Sequence, residues 1–266
     1  MMDLIFDGRY ASEFNLYMCN VTTSAGTEVS SVSELTFDTF RPAGLNKDIF
    51  IDATSTNLTK TIQFLKIVDC EPVDIDDYDL MSIVRWFNRS DGYYPLSIIR
   101  DDVSDITTYD AKIDVKKIEL FNGTIGVEFD IATNSIYGYQ SRTVNRTLSA
   151  NESLVINNQS SLVGEQAVDM KVNVLAAGNL EIGVSYNGDI LYKIKVKNCI
   201  KNENIIFSSN CIYDSDNRSN NSHLTQDFNY KFPKIYSSLT DQKTTFITNL
   251  PCKIEVSYKN YRKVGL

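Results

Sequence analysis

The sequence predicts a mainly β protein of two domains, the first of which contains one α-helix. The length of 266 residues exceeds what most single β-sandwiches need and suits two domains. Apolar and polar residues alternate over many short segments, which is the pattern of half-buried strands. Residues 1–140 hold 11 Lys and Arg against 23 Asp and Glu, a net charge of −12, whereas residues 141–266 hold 15 against 11, a net charge of +4. This asymmetry predicts a boundary near residue 140.

The first half opens with short predicted strands. Residues 4–6 are an apolar run that the turn-forming pair Asp7-Gly8 ends. Residues 49–51 and residues 62–68 are the next apolar segments with strand character. A helix then interrupts this β pattern.

The helix is predicted at about residues 76–89. Its apolar residues recur at spacings of three and four and form one stripe: Leu80, Ile83, Val84 and Phe87. Aspartates at the start and arginines at the end complement the helix dipole, and Asp74 or Asp76 would cap the first turn. The acidic start also resembles a calcium loop, but it lacks the glycine at the sixth position and the acid at the twelfth. Capping is therefore the favoured interpretation.

The rest of the chain has the pattern of antiparallel strands. Residues 115–121 and 125–131 would form a hairpin through Asn122-Gly123. In the second half the alternating segments are residues 170–174, 180–186, 190–196 and 252–258. Asn187-Gly188 is the strongest hairpin signal in the chain, and strands at this spacing predict an antiparallel sandwich. Residues 208–226 are polar and predict a long exposed loop.

The start of the chain and the cysteines both indicate a reducing compartment. No stretch approaches the ~20 apolar residues of a membrane helix, and the N-terminus lacks a secretory signal. The five cysteines are widely spaced and include no CxxC pair: Cys19, Cys70, Cys199, Cys211 and Cys252. We expect free buried thiols, with a disulfide or a zinc site as the alternative.

No constellation of residues predicts catalysis. The one histidine, His223, lies in the polar segment without an evident partner, which predicts an exposed loop histidine that has no role. The acidic residues 101–105 are a weak candidate for a glycosidase pair and are better explained as a turn. Asp214-Ser-Asp216-Asn217 resembles the start of a cation site, but Arg218 follows at the fifth position. We therefore predict no catalytic, cofactor or metal residues and no enzyme activity, and the binding residues remain unassigned.

Aromatic residues offer one further possibility. Exposed rings can stack on sugars, as in a lectin. Here most of them occupy alternating strand positions, where packing in the core or on the sheet is the usual role: Phe64, Phe129, Tyr186, Tyr192 and Tyr258.

The order of short motifs resembles the distal tail protein (Dit) family of long-tailed phages, a siphophage tail component. The motifs are Phe6-Asp-Gly8, Lys60-Thr-Ile-Gln-Phe64, Ile83-Val-Arg-Trp-Phe87, Tyr94-Pro-Leu-Ser-Ile98, Val127-Glu-Phe129, Tyr137-Gly-Tyr139, Phe232-Pro-Lys-Ile235 and Ile254-Glu-Val-Ser-Tyr258. The resemblance covers nearly the whole chain and is more specific in residues 1–140 than beyond.

This resemblance implies a fold and a function. Residues 1–140 would be a ring-forming β-sandwich with one helix, and residues 141–266 a galectin-like antiparallel β-sandwich. Six copies would form a homohexameric ring that joins the tail tube to the tail hub or baseplate and the host-adhesion apparatus. DNA would pass through the central channel without specific binding. The protein would be made in the bacterial cytoplasm and reside at the tail tip of the virion, with no catalysis, cofactor or membrane.

The resemblance implies further partners, and two alternative functions stay open. In some members of the family the C-terminal domains hold receptor-binding proteins. The alternatives are a carbohydrate-binding β-sandwich adhesin that acts alone and another baseplate or tail component of related fold. The length leaves no room for an inserted carbohydrate-binding module, so we expect another tail protein to bind host sugar. The polar segment 208–226 is the one part of the chain that remains a candidate for an adhesive or docking role.

Overall fold

The computed structural model describes residues 2–19, 35–42, 46–99, 106–120, 123–208, 210–214, 222–240 and 242–265. The chain divides into two compact units, Met1–Gln140 with Arg262–Leu266 and Ser141–Tyr261. Most of the described residues lie in antiparallel strands, which confirms the predicted mainly β fold class. No helix within the described ranges is long and apolar enough to cross a membrane.

The first unit contains one α-helix and a series of strands. These are β1 (Asp3–Phe6), β2 (Arg9–Tyr10), β3 (Leu16–Cys19), β4 (Leu35–Phe40), β5 (Ile49–Ser55), β6 (Thr59–Val68), β7 (Glu71–Pro72), α1 (Asp77–Phe87), β8 (Tyr94–Ile99), β9 (Thr108–Leu120), β10 (Gly123–Thr133) and β11 (Gly138–Leu148), the last of which continues into the second unit. A short 3-10 helix, Ala11–Phe14, follows β2.

One antiparallel sheet forms the frame of this unit, in the order β2-β1-β8-β9-β10-β6-β3. The pair Asp7-Gly8 turns the chain between β1 and β2 with positive φ angles of 49° and 80°. The β9–β10 hairpin carries an irregularity between Thr124 and Gly126. A Cβ atom at Gly126 would lie 2.3 Å from the Phe64 carbonyl oxygen, so this close approach requires glycine.

Helix α1 confirms the predicted helix, and it is shorter by one residue at its start and two at its end. The Asp76 carboxylate accepts a hydrogen bond from the Asp79 backbone N–H at 2.7 Å, which caps the first turn. This geometry explains the acidic start as capping. Ile83 and Phe87 are buried, and Leu80 packs partly against the same core.

The core of the first unit includes a group of aromatic rings that pack around Phe87 of α1. The Phe87 ring lies 5.9 Å from the Phe6 ring, 5.4 Å from Phe14 and 4.7 Å from Phe129. The Phe64 and Phe129 rings are 4.7 Å apart. Helix, sheet and 3-10 helix therefore meet at one cluster of rings, which fixes the position of α1.

The end of the chain returns to this unit. Burial raises the pKa of Tyr109 to about 12. Its hydroxyl donates a hydrogen bond to the Gly265 carbonyl oxygen at 2.8 Å. This bond attaches the returning segment to β9.

The second unit is almost entirely β. Its further elements are β12 (Ser153–Asn157), β13 (Gly164–Ala167), β14 (Asp169–Val174), β15 (Gly178–Tyr186), β16 (Asp189–Cys199), β17 (Asn204–Ser208), β18 (Cys211–Asp214), α2 (Ser222–Asp227), β19 (Lys234–Ser237), β20 (Lys243–Thr248) and β21 (Cys252–Arg262).

Two antiparallel sheets enclose one core in this unit. One contains β18-β17-β14-β21 and the other β12-β20-β15-β16, while β13 and β19 form a separate ribbon. Buried side chains from both sheets, among them Val172, Ile182 and Ile254, form the core between them. Asn187 and Gly188 make the predicted β15–β16 turn with φ angles of 53° and 88°.

The predicted long loop at residues 208–226 is wrong where the structure describes it. This segment contains β18 and the six-residue helix α2. Leu224, which is fully buried, packs into the core of the second unit and holds α2 against it. A helix this short depends on tertiary contacts more than on its own propensity.

Candidate functional site

The most conspicuous surface of the first unit is the β4–β5 hairpin. Its strands pair from Leu35↔Ser55 to Phe40↔Ile49 and join no other strand among the described residues. Large apolar side chains on it are 46–61% exposed: Phe37, Phe40, Ile49, Phe50 and Ile51. We call this element the apolar hairpin. The segment that links the two strands begins with Arg41-Pro-Ala-Gly44, and its residues 43–45 lie outside the described residues.

The apolar hairpin is unusual for a free monomer. A two-stranded hairpin is marginally stable alone, and contiguous exposed apolar groups commonly mark a binding surface. The Phe37 and Phe50 rings lie edge to face at 6.4 Å, so they already form a small pair. The sequence pattern indicated a strand at residues 49–51 but gave no sign that these side chains face outward.

A second feature anchors α1 to the start of the chain. The Trp86 indole N–H donates to the Phe6 carbonyl oxygen at 3.0 Å, and the Arg9 guanidinium lies 4.9 Å from the Trp86 ring. Arg89 pairs with Asp7 at 2.9 Å and stacks over the Tyr94 ring at 3.7 Å. These contacts hold the C-terminal end of α1 against the β1–β2 turn.

The exposed face of β6, β9 and β10 carries paired charges. The Lys116 ammonium binds Asp130, and its distance to Glu128 is 3.9 Å. The hydrogen bond from Lys116 holds the pKa of Asp130 below its usual range, with help from the Thr61 hydroxyl. The acidic excess of the first unit is therefore partly neutralised on this face.

The one histidine of the chain makes a specific contact, which overturns the expectation of an exposed loop residue. His223 lies on α2, and its Nε2 is 2.6 Å from the Glu203 carboxylate. The side chain of Glu203 is only 2% exposed and also accepts the Ile200 backbone N–H at 2.9 Å. The other imidazole nitrogen is 3.4 Å from Asp227. His223 thus connects α2 to the turn before β17.

Opposing influences act on this imidazole. Burial lowers the pKa of His223, but the hydrogen bonds and charges of Glu203 and Asp227 outweigh it and raise the pKa above its ordinary value. Only the protonated imidazole donates from both nitrogens, so that form suits both carboxylates. The role that follows from this geometry is structural.

The five cysteines are free thiols. Cys199 and Cys252 are buried as expected, but Cys70 and Cys211 are exposed and Cys19 is intermediate, so the expectation of burial is wrong for these three. Burial raises the pKa of Cys199 to about 11. No group of His, Cys, Asp and Glu within the described ranges has metal-binding geometry.

Other positions singled out in the sequence divide into two groups. Phe64 and Phe129 are fully buried, while Tyr186, Tyr192 and Tyr258 are half-buried on their strands. Residues 101–105 lie outside the described residues, as do residues 215–218 of the candidate cation segment. The structure therefore brings no candidate catalytic pair together among the residues that it describes.

Two family profiles cover most of the chain. The profile described as phage tail protein N-terminal domain matches residues 1–135. The profile described as phage tail C-terminal domain matches residues 137–258. No curated protein matches the sequence.

A solved structure shares this fold. The Dit protein (gp 19.1) of phage SPP1 is 12% identical, with a TM-score of 0.62 over 97% of this chain and 99% of that one. That protein is described as a paradigm of the hub adsorption apparatus in phages that infect Gram-positive bacteria. The phage P2 baseplate in its activated conformation with Ca contains a chain 12% identical, with a TM-score of 0.48 over 97% of this chain and 98% of that one. The chain therefore belongs to the family of phage tail proteins, and it has the distal tail protein fold that its motifs predicted.

Proposed function

We propose that six copies of this protein form a ring at the distal end of a phage tail. The ring joins the tail tube to the tail hub or baseplate and to the host-adhesion apparatus, and it leaves a central channel for DNA. The role is structural, without catalysis or a cofactor, and the protein resides in the virion. Family membership and the distal tail protein fold support this assignment.

The observation that carries the proposal is the apolar hairpin. In the monomer, Phe37, Phe40 and Phe50 are 61%, 57% and 60% exposed. Burying such side chains against a partner stabilises a complex by about 25 cal/mol per Å² of apolar area. A hairpin that joins no other strand in the described chain is suited to make that contact with another molecule.

We infer that this partner is a second copy of the chain. A closed ring uses one head-to-tail interface repeatedly, so each copy supplies the hairpin and the next copy supplies the surface that receives it. Every hairpin is then covered without a further protein. An open arrangement of the same interface would instead produce a filament.

The charge of the first unit suits a channel. Residues 1–140 carry a net charge of −12, from 11 basic and 23 acidic residues. An acidic wall repels phosphates and does not retain passing DNA. Replacing several exposed acids of this unit with lysine is expected to slow DNA ejection from assembled phage, and unchanged ejection would contradict this function of the charge.

The ring is tested by solution mass and negative-stain imaging of the purified protein. One copy has a mass of 30.1 kDa, so six copies give about 181 kDa. We expect that mass and a six-fold ring with an open centre. A protein that stays monomeric at high concentration, and also when mixed with tail tube protein, would overturn the ring.

A double variant tests whether the apolar hairpin is needed for assembly but not for the fold of the monomer. Phe37→Ser with Phe50→Ser is expected to yield a monomer whose Trp86 fluorescence is unchanged, because both rings lie on the exposed hairpin. Leu239→Ser is the matched control, since Leu239 is 89% exposed in the second unit. A hexamer that persists in the double variant would contradict the role of the hairpin.

A further inference from the structure

The second unit contains an aromatic cleft that the ring does not require. Two adjoining cavities of about 560 and 380 Å³ share the lining residues Glu165, Asn210 and Phe232. The first is lined further by Tyr258 and the second by Tyr230. Because the cavities share these residues, they form one continuous cleft, which Glu165 of β13 and Lys234 of β19 line.

The rings of the cleft are held in place before any ligand arrives. Tyr230 is 65% exposed, yet its hydroxyl donates to the Thr225 carbonyl oxygen at 2.7 Å. The Phe228 ring lies 5.5 Å from the Tyr230 ring and 5.1 Å from the Phe232 ring. Tyr192 donates to the Phe232 carbonyl oxygen at 2.9 Å. An exposed ring fixed in this way loses little entropy when it binds a ligand.

Polar groups stand next to these rings. The Lys234 ammonium binds the Glu165 carboxylate at 2.7 Å across the ribbon, and Asn210 contributes an amide to both cavities. Of the charged side chains that line the two cavities, four are basic and two acidic: Arg142, Lys231, Lys234, Lys259, Glu165 and Asp169. The cleft therefore combines apolar faces, hydrogen-bonding groups and a positive balance.

We propose that this cleft binds a saccharide chain. A pyranose ring presents a face of C–H groups, which packs on an aromatic ring, and a rim of hydroxyls, which bond to amide, carboxylate and ammonium groups. An acyl chain would satisfy the rings but leave the polar rim unpaired, which is costly. Two adjoining cavities of this volume offer room for several linked sugars, and the positive balance suits sugars that carry phosphate.

This inference changes the expectation that another tail protein alone binds host sugar. It does not depend on the hexameric ring, because the lining residues all lie in Ser141–Tyr261. The cleft would bind sugar equally in a monomer.

The test uses saturation-transfer NMR on the full chain with three probes. Tri-N-acetylchitotriose and maltotriose represent neutral chains, and a glycerol phosphate oligomer represents an anionic chain. We expect saturable binding of at least one of the two saccharides. Binding of the phosphate oligomer alone, weakened by salt, would show that the cleft recognises phosphate rather than sugar and would overturn the proposal.

Two variants locate the binding. Tyr230→Ala removes the exposed ring and Glu165→Gln removes the carboxylate, and each is expected to weaken binding about tenfold. Glu181→Gln is the matched control, because Glu181 also pairs with lysines on the second unit but does not line the cleft. Tyr78→Ala, on the exposed side of α1, is the matched control for Tyr230→Ala.

The outcomes are decisive. Binding that both cleft variants weaken and both controls leave unchanged supports the saccharide cleft. No saturable binding of either saccharide, or binding that neither variant weakens, overturns it. Capture of a proline-rich peptide in place of every sugar would also overturn it and assign the cleft to a protein partner. Negative-stain imaging of the same samples shows whether the hexameric ring forms, independently of sugar binding.

Discussion

Phe87→Ala tests how α1 is attached to the first unit. The Phe87 side chain is fully buried, and three aromatic rings lie within 5.9 Å of its centre. Truncation of a buried phenylalanine to alanine costs about 3–5 kcal/mol, which includes the cavity left behind. Because each ring pair adds about 0.5–1.5 kcal/mol beyond the buried area, we expect a loss of about 4–5 kcal/mol.

The assay is urea unfolding followed by fluorescence of Trp86, the one tryptophan of the chain. This residue belongs to the first unit, so its signal reports that unit. With a urea dependence of about 2 kcal/mol per M, the midpoint should fall by about 2 M. The protein concentration is held constant, because assembly would add stability.

Met81→Ala on the same helix is the matched control. Met81 is 59% exposed, and its truncation should change the free energy of unfolding by no more than about 0.5 kcal/mol. The NMR signal of His223 reports the second unit, whose unfolding midpoint should not change. A loss below about 1 kcal/mol for Phe87→Ala, or equal losses for both variants, would refute the burial of this helix face.

Three other substitutions test local features. Asp76→Ala should destabilise the first unit by about 1 kcal/mol in urea unfolding, because it removes the helix cap. Gly126→Ala should cost about 1–3 kcal/mol in the same assay, since the new methyl group would overlap the neighbouring backbone. The raised pKa of His223 predicts that its contact with Glu203 stabilises the second unit fully below about pH 6.5 and that this contribution is lost as the pH rises through the raised value. An NMR titration of the single imidazole should show the raised pKa, and Glu203→Gln should lower it.

Each of these expectations has its own control. Asp74→Ala removes an aspartate outside the cap and should have little effect, so an equal loss would contradict the capping role of Asp76. Gly92→Ala, in the same unit as Gly126, places a methyl group 3.9 Å from its nearest neighbour, the Tyr94 ring, and should be tolerated. An imidazole that titrates identically in the wild type and in Glu203→Gln would show that the carboxylate does not act on His223.

The helix and the hairpin turns could be predicted because their signals are local. The stripe from Leu80 to Phe87 and the charges at both ends specify α1 within a few residues. Asn187-Gly188 specifies a two-residue turn by backbone conformation alone. The predicted core positions Phe64 and Phe129 are likewise buried, because alternation identifies the inward face of a strand.

Other features depend on residues far apart in the sequence. Glu203 and His223 are 20 positions apart, and only the fold of the second unit places them 2.6 Å from each other. Helix α2 is too short for periodicity to detect. The exposure of Phe37 and Phe50 follows from the hairpin's lack of a further strand among the described residues, which no local pattern reveals. The cleft likewise draws its rings from separate elements.

The return of the chain to the first unit has a consequence for how such a protein can be altered. The second unit, Ser141–Tyr261, is an insertion with two covalent joins, one at Gln140 and one at Arg262. A single backbone cut at either join would leave the two pieces attached through the other. Exchange of the second unit for a different module therefore requires two compatible junctions, and the segment bonded to Tyr109 must be kept for the first unit to remain complete.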